Sequence, residues 1–410
     1  MKHILGYRCT ICGAEFPYTE IMTCPHCGEK GILDIVFNYR YIAKILNRKA
    51  LARNNENSMW RYKALLPLRD RSFTSFLRVG WTPLYRANRL ENELGVHALY
   101  IKDDGLNPTA SLKDRASGVA VAKAIELGYD TVACSSTGNA ASSCAGNAAR
   151  MGLKSVIFVP QRAPEGKLAQ LMIFGAKVVS VNGDYRQTFE LSKAAIEKYG
   201  WYNRNAGINP ILTEGKKTVA LEIAEQLNWN VTDWVAVSVG DGCTIGGVYN
   251  GFHDLYELNM IDRIPRILGV QSTGCCPFVN AAKNGVELIP TEENTIADSI
   301  AVGVPRNPVK ALRAVKESGG RWIAVTDEAI LAAMRVLGRT EGVFGEPAGV
   351  TAAAGVMEAV KCGIILQSES VTVINTGSGL KDVKNALAAA GKPTLCEPEL
   401  SALEESGILN

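Results

Sequence analysis

The chain has no apolar run approaching the ~20 residues that a membrane-spanning helix requires. Met1-Lys2-His3-Ile4-Leu5-Gly6 contains no apolar stretch of the secretory kind, so the expected location is the cytoplasm. Strong charge of either sign is also missing. Forty-four Lys and Arg against 41 Asp and Glu leave a formal net charge of +3, too small for a nucleic-acid footprint. Low-complexity segments and internal repeats are absent as well. Neither nucleic acid nor a membrane is therefore an expected partner.

What is present is an ordinary globular core. Hydrophobic residues make up 47% and charged residues 21% of 410 residues, a composition and length that suit two or three domains. Eleven cysteines, an odd number without an export leader, argue for reduced thiols and a metal site over a disulfide framework. Cys9-x2-Cys12-x11-Cys24-x2-Cys27 has zinc-ribbon spacing. Two C-x-x-C knuckles supply four thiolates and leave no open coordination position, so a structural zinc is expected in residues 1–36. His26 reads as a bystander. The plainer alternative is four unmetallated thiols.

Residues 38–51 read as helical. From residue 98 the pattern becomes regular. Short apolar runs at 98–101, 131–134, 155–159, 177–181, 234–239, 267–270, 322–325 and 371–374 alternate with helix-length segments. These are 116–127, 140–151, 167–174, 189–199, 217–227, 248–258, 308–318, 327–338 and 349–362. Continuous apolar runs joined by helical crossovers predict an α/β protein with parallel strands, divided between two sheets.

Four segments follow strands and carry chemistry. Asn107-Pro108-Thr109-Ala110-Ser111-Leu112-Lys113-Asp114-Arg115 opens a helix, with Thr109 or Ser111 as its expected cap. In the first turn, the helix dipole lowers the proton affinity of Lys113. A lysine that attacks an aldehyde needs that, because only the free amine is nucleophilic. By itself the segment reads more simply as a solvated surface turn. Cys134-Ser135-Ser136-Thr137-Gly138-Asn139 places hydroxyls and amides at a helix N-terminus, an anion site or a plain cap. Gly240-Asp241-Gly242-Cys243-Thr244-Ile245-Gly246-Gly247 lets backbone amides approach a phosphate. Its spacing is not that of a dinucleotide fingerprint. Asn375-Thr376-Gly377-Ser378-Gly379-Leu380-Lys381-Asp382 is a glycine turn after the last strand.

Together these segments resemble the threonine synthase family of fold-type II, tryptophan-synthase-β-like pyridoxal-phosphate enzymes. The family signature is N-P-T-G-S-x-K-D-R, with Ala110 here where glycine is usual. The likeness runs from the cysteine module to Asp382. It implies a two-domain α/β fold holding pyridoxal 5'-phosphate between a large domain (37–114 and 226–395) and a small mobile domain (115–225). The zinc ribbon (1–36) precedes them and a tail (396–410) follows. Lys113 would hold the cofactor covalently and shuttle the α-proton. Asn139 would bond the ring hydroxyl. Gly240, Asp241, Gly242, Cys243 and Thr244 would cradle the phosphate, and Ser135, Ser136, Thr137 and Gly138 the substrate carboxylate. Thr376 would face the pyridine nitrogen; a hydroxyl there suits elimination and replacement at Cβ or Cγ. Glu346 falls in another stretch near the cofactor face, or simply caps a helix. A homodimer acting on a small amino acid is expected.

Beyond Ala110, the resemblance departs at one further place. The family places a hydroxyl and an arginine shortly before E-G-x-K-T, here Glu214-Gly215-Lys216-Lys217-Thr218, to hold the substrate's phosphate. Gly207 and Leu212 stand at those positions, leaving Arg204, Arg306 or Lys217 to compensate. The leading expectation is conversion of O-phospho-L-homoserine and water to L-threonine and phosphate. Its rival is β-elimination or β-replacement: a threonine/serine dehydratase, a diaminopropionate ammonia-lyase or a cysteate-synthase-like enzyme. A third reading is an inactive zinc-ribbon binding protein.

Overall fold

All eight apolar runs form strands; most are buried on both faces, while the edge strands at 177–181 and 321–325 stay partly exposed. The computed structural model describes residues 1–69, 76–161, 165–285 and 287–408. Among these, the strands are β1 (Ile4–Cys9), β2 (Glu15–Phe16), β3 (Thr23–Cys24), β4 (Gly28–Phe37), β5 (Leu84–Arg86), β6 (Ala98–Asp103), β7 (Thr131–Ser135) and β8 (Lys154–Pro160). They continue with β9 (Lys177–Val181), β10 (Tyr202–Asn203), β11 (Trp234–Ser238), β12 (Arg266–Ser272), β13 (Arg321–Val325) and β14 (Ser370–Asn375).

Three sheets result. The first, β2-β1-β4-β3, is the antiparallel sheet of the cysteine module. The second is β10-β7-β8-β9, parallel throughout. The third, β13-β12-β11-β14-β6-β5, is parallel except for the edge pair β5–β6. The edge strand β5 and the two-residue β10 carry too little apolar sequence to stand out. Residues 38–51 do not form one helix. Asn47 is extended and its side chain caps a new start, giving Tyr39–Ile42 and Arg48–Ala52. Among the described residues no helix is long and apolar enough to cross a membrane.

Helix Ile211–Gln226 is buried all round over residues 211–224, packed against helices Lys113–Glu126 and Cys243–Glu257. An ion network fixes it. Arg115 reaches Asp104 at 2.6 Å and Glu222 at 2.5 Å, and Lys102 reaches Glu222 at 2.7 Å. Two cations face two carboxylates with no solvent, so losing one partner would strand a buried charge. Burial alone would raise the Glu222 carboxyl, but Arg115 and Lys102 overcome it and hold it at about 2.

Candidate active site

The side chains flanking Lys113 fix its direction. Asp114 accepts from the Thr109 amide (2.7 Å), the Thr109 hydroxyl (2.8 Å) and the Asn147 amide (2.9 Å). Arg115 is held by the network just described. Thr109 therefore donates to Asp114, contrary to its expected role as helix cap. Leu112 occupies the cap position without a side-chain bond. Lys113 is the first helical residue and is half-buried. Burial, and then the nearby Lys216, push its amine down to about 8. Among the described residues no hydrogen bond or ion pair engages it.

Two further loops are stitched to this segment. Thr376 accepts from the Leu112 amide (2.9 Å) and Ala110 from the Ser378 amide (3.0 Å). The Glu346 amide donates to Gly377 (3.0 Å). Thr376 is thus beside Lys113, half-buried. Glu346 begins helix Pro347–Lys361 but makes no side-chain cap. Its carboxylate is 5% exposed and accepts from the Asn139 side chain at 2.6 Å. Burial raises it to about 7, against the opposing pull of Asn139 and Lys113. Asn139 keeps its other amide hydrogen for a ligand.

The Ser135–Gly138 loop precedes helix Asn139–Arg150 without a side-chain cap, so the plain-cap reading of its hydroxyls does not hold. Gly138 is the cap residue, and its amide donates to the Ser136 hydroxyl (3.2 Å). The Ser135 amide donates to Asn205 (3.0 Å), and buried Ser135 Oγ and Asn205 Nδ2 find no partner. Thr137 is half-buried in the same turn.

The glycine loop is seated on the segment 300–307. Gly242 has φ 88, and a Cβ there would lie 2.5 Å from the Asn307 carbonyl. Only glycine meets both demands. The Asp241 carboxylate accepts from the Arg306 amide (2.6 Å) and its carbonyl from the Asn307 amide (3.0 Å). Cys243 donates to Ala206 (3.2 Å) and accepts from Asn307 (3.3 Å). Gly240 is buried against Ile300, and Thr244 is half-buried in the first turn of the helix.

Gly207 is filled by Arg306, whose side chain would lie 2.5 Å from an added Cβ. That guanidinium stacks on Phe189 at 3.7 Å. Leu212 is fully buried, and Lys217 is paired with Glu214 and Asp254. Lys217 therefore does not compensate for the missing arginine. Lys216, passed over in the sequence, enters this site instead. Two consecutive lysines in the Glu214–Thr218 stretch were the available signal.

The cysteine cluster is separate. All four Sγ atoms lie within 4.8 Å of one another, with Cys9–Cys27 at 4.0 Å and Cys12–Cys24 at 3.8 Å. A Zn–S length of ~2.3 Å sets a tetrahedral edge of ~3.8 Å. The cluster is therefore sized to hold a zinc ion. His26 packs edge-on against Phe16 at 5.3 Å instead.

An amine unengaged among the described residues at one helix start, a glycine loop at another, and a buried Ser135 hydroxyl with no described partner fit pyridoxal phosphate. Such an arrangement, between two parallel sheets, defines a pyridoxal-phosphate-dependent enzyme. The family model for pyridoxal-phosphate-dependent enzymes matches residues 76–377. The chain is 41% identical over 400 residues to a threonine synthase of Methanocaldococcus jannaschii, covering 97% of this chain and 98% of that protein. It is 39% identical over 403 residues to one of Methanosarcina acetivorans, again covering 97% and 98%. Among solved structures, diaminopropionate ammonia lyase from Escherichia coli superposes with a TM-score of 0.67 at 20% identity. It covers 82% of this chain and 93% of that one. That likeness speaks to the fold alone. The chain belongs to the pyridoxal-phosphate-dependent enzymes and, within them, to the threonine synthase family.

Proposed function

We propose that the protein is a pyridoxal-phosphate-dependent lyase that converts O-phospho-L-homoserine and water to L-threonine and phosphate. The observation that carries this reading is the unengaged Lys113 amine beside the glycine loop, in a chain 41% identical to a threonine synthase over nearly its whole length. Bound pyridoxal phosphate supplies the electron sink for carbanions formed at the substrate.

The chain's residues supply the rest. Lys113 Nζ takes the α-proton and moves protons at Cβ, a role suited to an amine near neutral range. Ser135, Ser136, Thr137 and Gly138 offer hydroxyls and amides to the substrate carboxylate. Gly240, Asp241, Gly242, Cys243 and Thr244 offer backbone amides to the cofactor phosphate. Asn139 holds the ring, and Glu346 positions Asn139. Thr376 places a neutral hydroxyl near the pyridine nitrogen. The setting proposed is a cytoplasmic homodimer with a structural zinc on Cys9, Cys12, Cys24 and Cys27.

Gly207 and Leu212 favour a second reading, a lyase for an unphosphorylated amino acid. Product analysis separates the two. Threonine and phosphate in equal amounts support the first; a 2-oxo acid with ammonia overturns it. Lys113→Ala is expected to abolish both turnover and borohydride fixation of the cofactor.

A further inference from the structure

Helix Ile211–Gln226 carries two consecutive lysines with opposite surroundings. Lys217 is neutralised by Glu214 at 2.5 Å and Asp254 at 2.6 Å. Lys216 is 2% exposed, and among the described residues no hydrogen bond or ion pair reaches its ammonium. Its stem packs on helix Cys243–Glu257, where an added Cβ at Gly247 would lie 3.1 Å from Lys216 Cβ. The charges and thiol facing it are Cys243, Arg204, Asp241, Lys310 and Lys113.

None of these forms an ion pair with it among the described residues. Asp241 is the one carboxylate of the group, and its oxygen accepts from the Arg306 amide instead. Lys310 is itself a cation, held by Asp34 and the Leu33 carbonyl. Arg204 is also buried, at 1% exposure, and donates only to the hydroxyls of Ser117 (2.9 Å) and Ser143 (3.5 Å). It too has no carboxylate partner among the described residues. Isolated buried cations are strongly unfavourable unless an anion joins them. A site that keeps two of them beside its reactive amine is arranged for an anionic ligand.

A phosphate monoester is carried by both the cofactor and the proposed substrate. The cofactor's phosphate has the amides of Gly240–Thr244 and the dipole of the following helix. The substrate's phosphate has neither a hydroxyl at Gly207 nor a guanidinium at Leu212. We propose that Lys216, assisted by Arg204, binds the phosphate of a phosphomonoester substrate and determines the enzyme's specificity for it. The assignment rests on the reaction proposed above.

The test uses the holoenzyme, Lys216→Gln and Lys216→Arg, with inorganic phosphate as the probe in titration calorimetry. Wild-type holoenzyme is expected to bind inorganic phosphate in addition to its cofactor. Lys216→Gln should weaken that binding and raise KM for O-phosphohomoserine, each on the order of tenfold or more. Cofactor affinity should stay unchanged and Lys216→Arg should partly restore binding. The Gln variant should also melt at a higher temperature without ligand, since it removes an uncompensated charge. Loss of cofactor affinity with intact phosphate binding would assign the lysine to the cofactor's phosphate and overturn the proposal. So would a wild-type holoenzyme that binds no phosphate, or a Gln variant with unaltered KM and phosphate binding. If Lys216-dependent phosphate binding appears but no threonine forms, the phosphomonoester site stands and the reaction assignment falls.

Discussion

Ala110 shows how one residue can be carried against its own preference. It has φ 65, in the left-handed region, at the position where the family signature has glycine. Its amide donates to Asn107 and its carbonyl accepts from Ser378, so the turn cannot relax. A side chain in that region costs ~1–2 kcal/mol, partly offset by the flexibility glycine adds to the unfolded chain. Ala110→Gly is expected to raise unfolding free energy by about 0.5–1 kcal/mol in urea titrations; destabilisation would refute the account of the turn. Glu346 makes a pH-dependent case. Its folded value of about 7 exceeds the ordinary 4.5. Its stabilisation is therefore full below about 4.5 and is lost as pH rises through about 7. Glu346→Gln keeps an acceptor for Asn139 but cannot ionise. Thermal melts should show the variant gaining on the parent at pH 8.5, by at most ~3 kcal/mol, with little difference at pH 5. A pH-independent gap would count against this assignment.

At the scale of elements, the cysteine module is tied to the helix that starts beside the glycine loop, and we propose that it braces that loop from a distance. Asp34 on β4 pairs with Lys310 (3.0 Å) and Arg313 (2.7 Å), and Lys310 donates to the Leu33 carbonyl (2.7 Å). Both cations lie on helix Pro308–Glu317, which begins beside the Asn307 carbonyl that packs on Gly242. Burial alone would raise the Asp34 carboxyl, but Lys310 and Arg313 outweigh it and hold it at about 2. If the cluster binds zinc, Cys24→Ala should release the metal, lower the melting temperature and weaken cofactor affinity several-fold. Metal analysis with a cofactor titration checks this; intact affinity after metal loss would show that no brace exists.

For the whole molecule, the proposed mobile segment 115–225 touches the larger sheet's loops through specific side chains. Lys381, after β14, donates to Ser142 (2.9 Å) and Gln170 (2.7 Å) on helices flanking the smaller sheet. Asn139 meets Glu346 and Phe189 carries the Arg306 guanidinium across the same gap. These polar contacts around the smaller sheet can break and re-form as substrate enters, whereas the segment's two ends, from Arg115 and through helix Ile211–Gln226, stay fixed by the buried ion network and by helix Cys243–Glu257. We propose that the segment closes on substrate. Small-angle scattering should give a smaller radius of gyration with O-phosphohomoserine present; superimposable curves would exclude closure.

The order of strands and helices was legible from residue 98 onward because doubly buried strands leave continuous apolar runs, which need no tertiary information to see. The candidate attachment lysine, Lys113, and the four clustered thiols stand out in the sequence because their chemistry requires fixed residue types at short spacing. Which charged residues share a cavity depends instead on how distant segments pack. Asn139 and Glu346 are separated by 207 positions, and Glu346 read locally as a helix cap. Lys216 and Lys217 are neighbours in sequence. One is ion-paired with two carboxylates and the other with none among the described residues, because successive helical residues point about 100° apart and only the packed helices decide what each side chain meets.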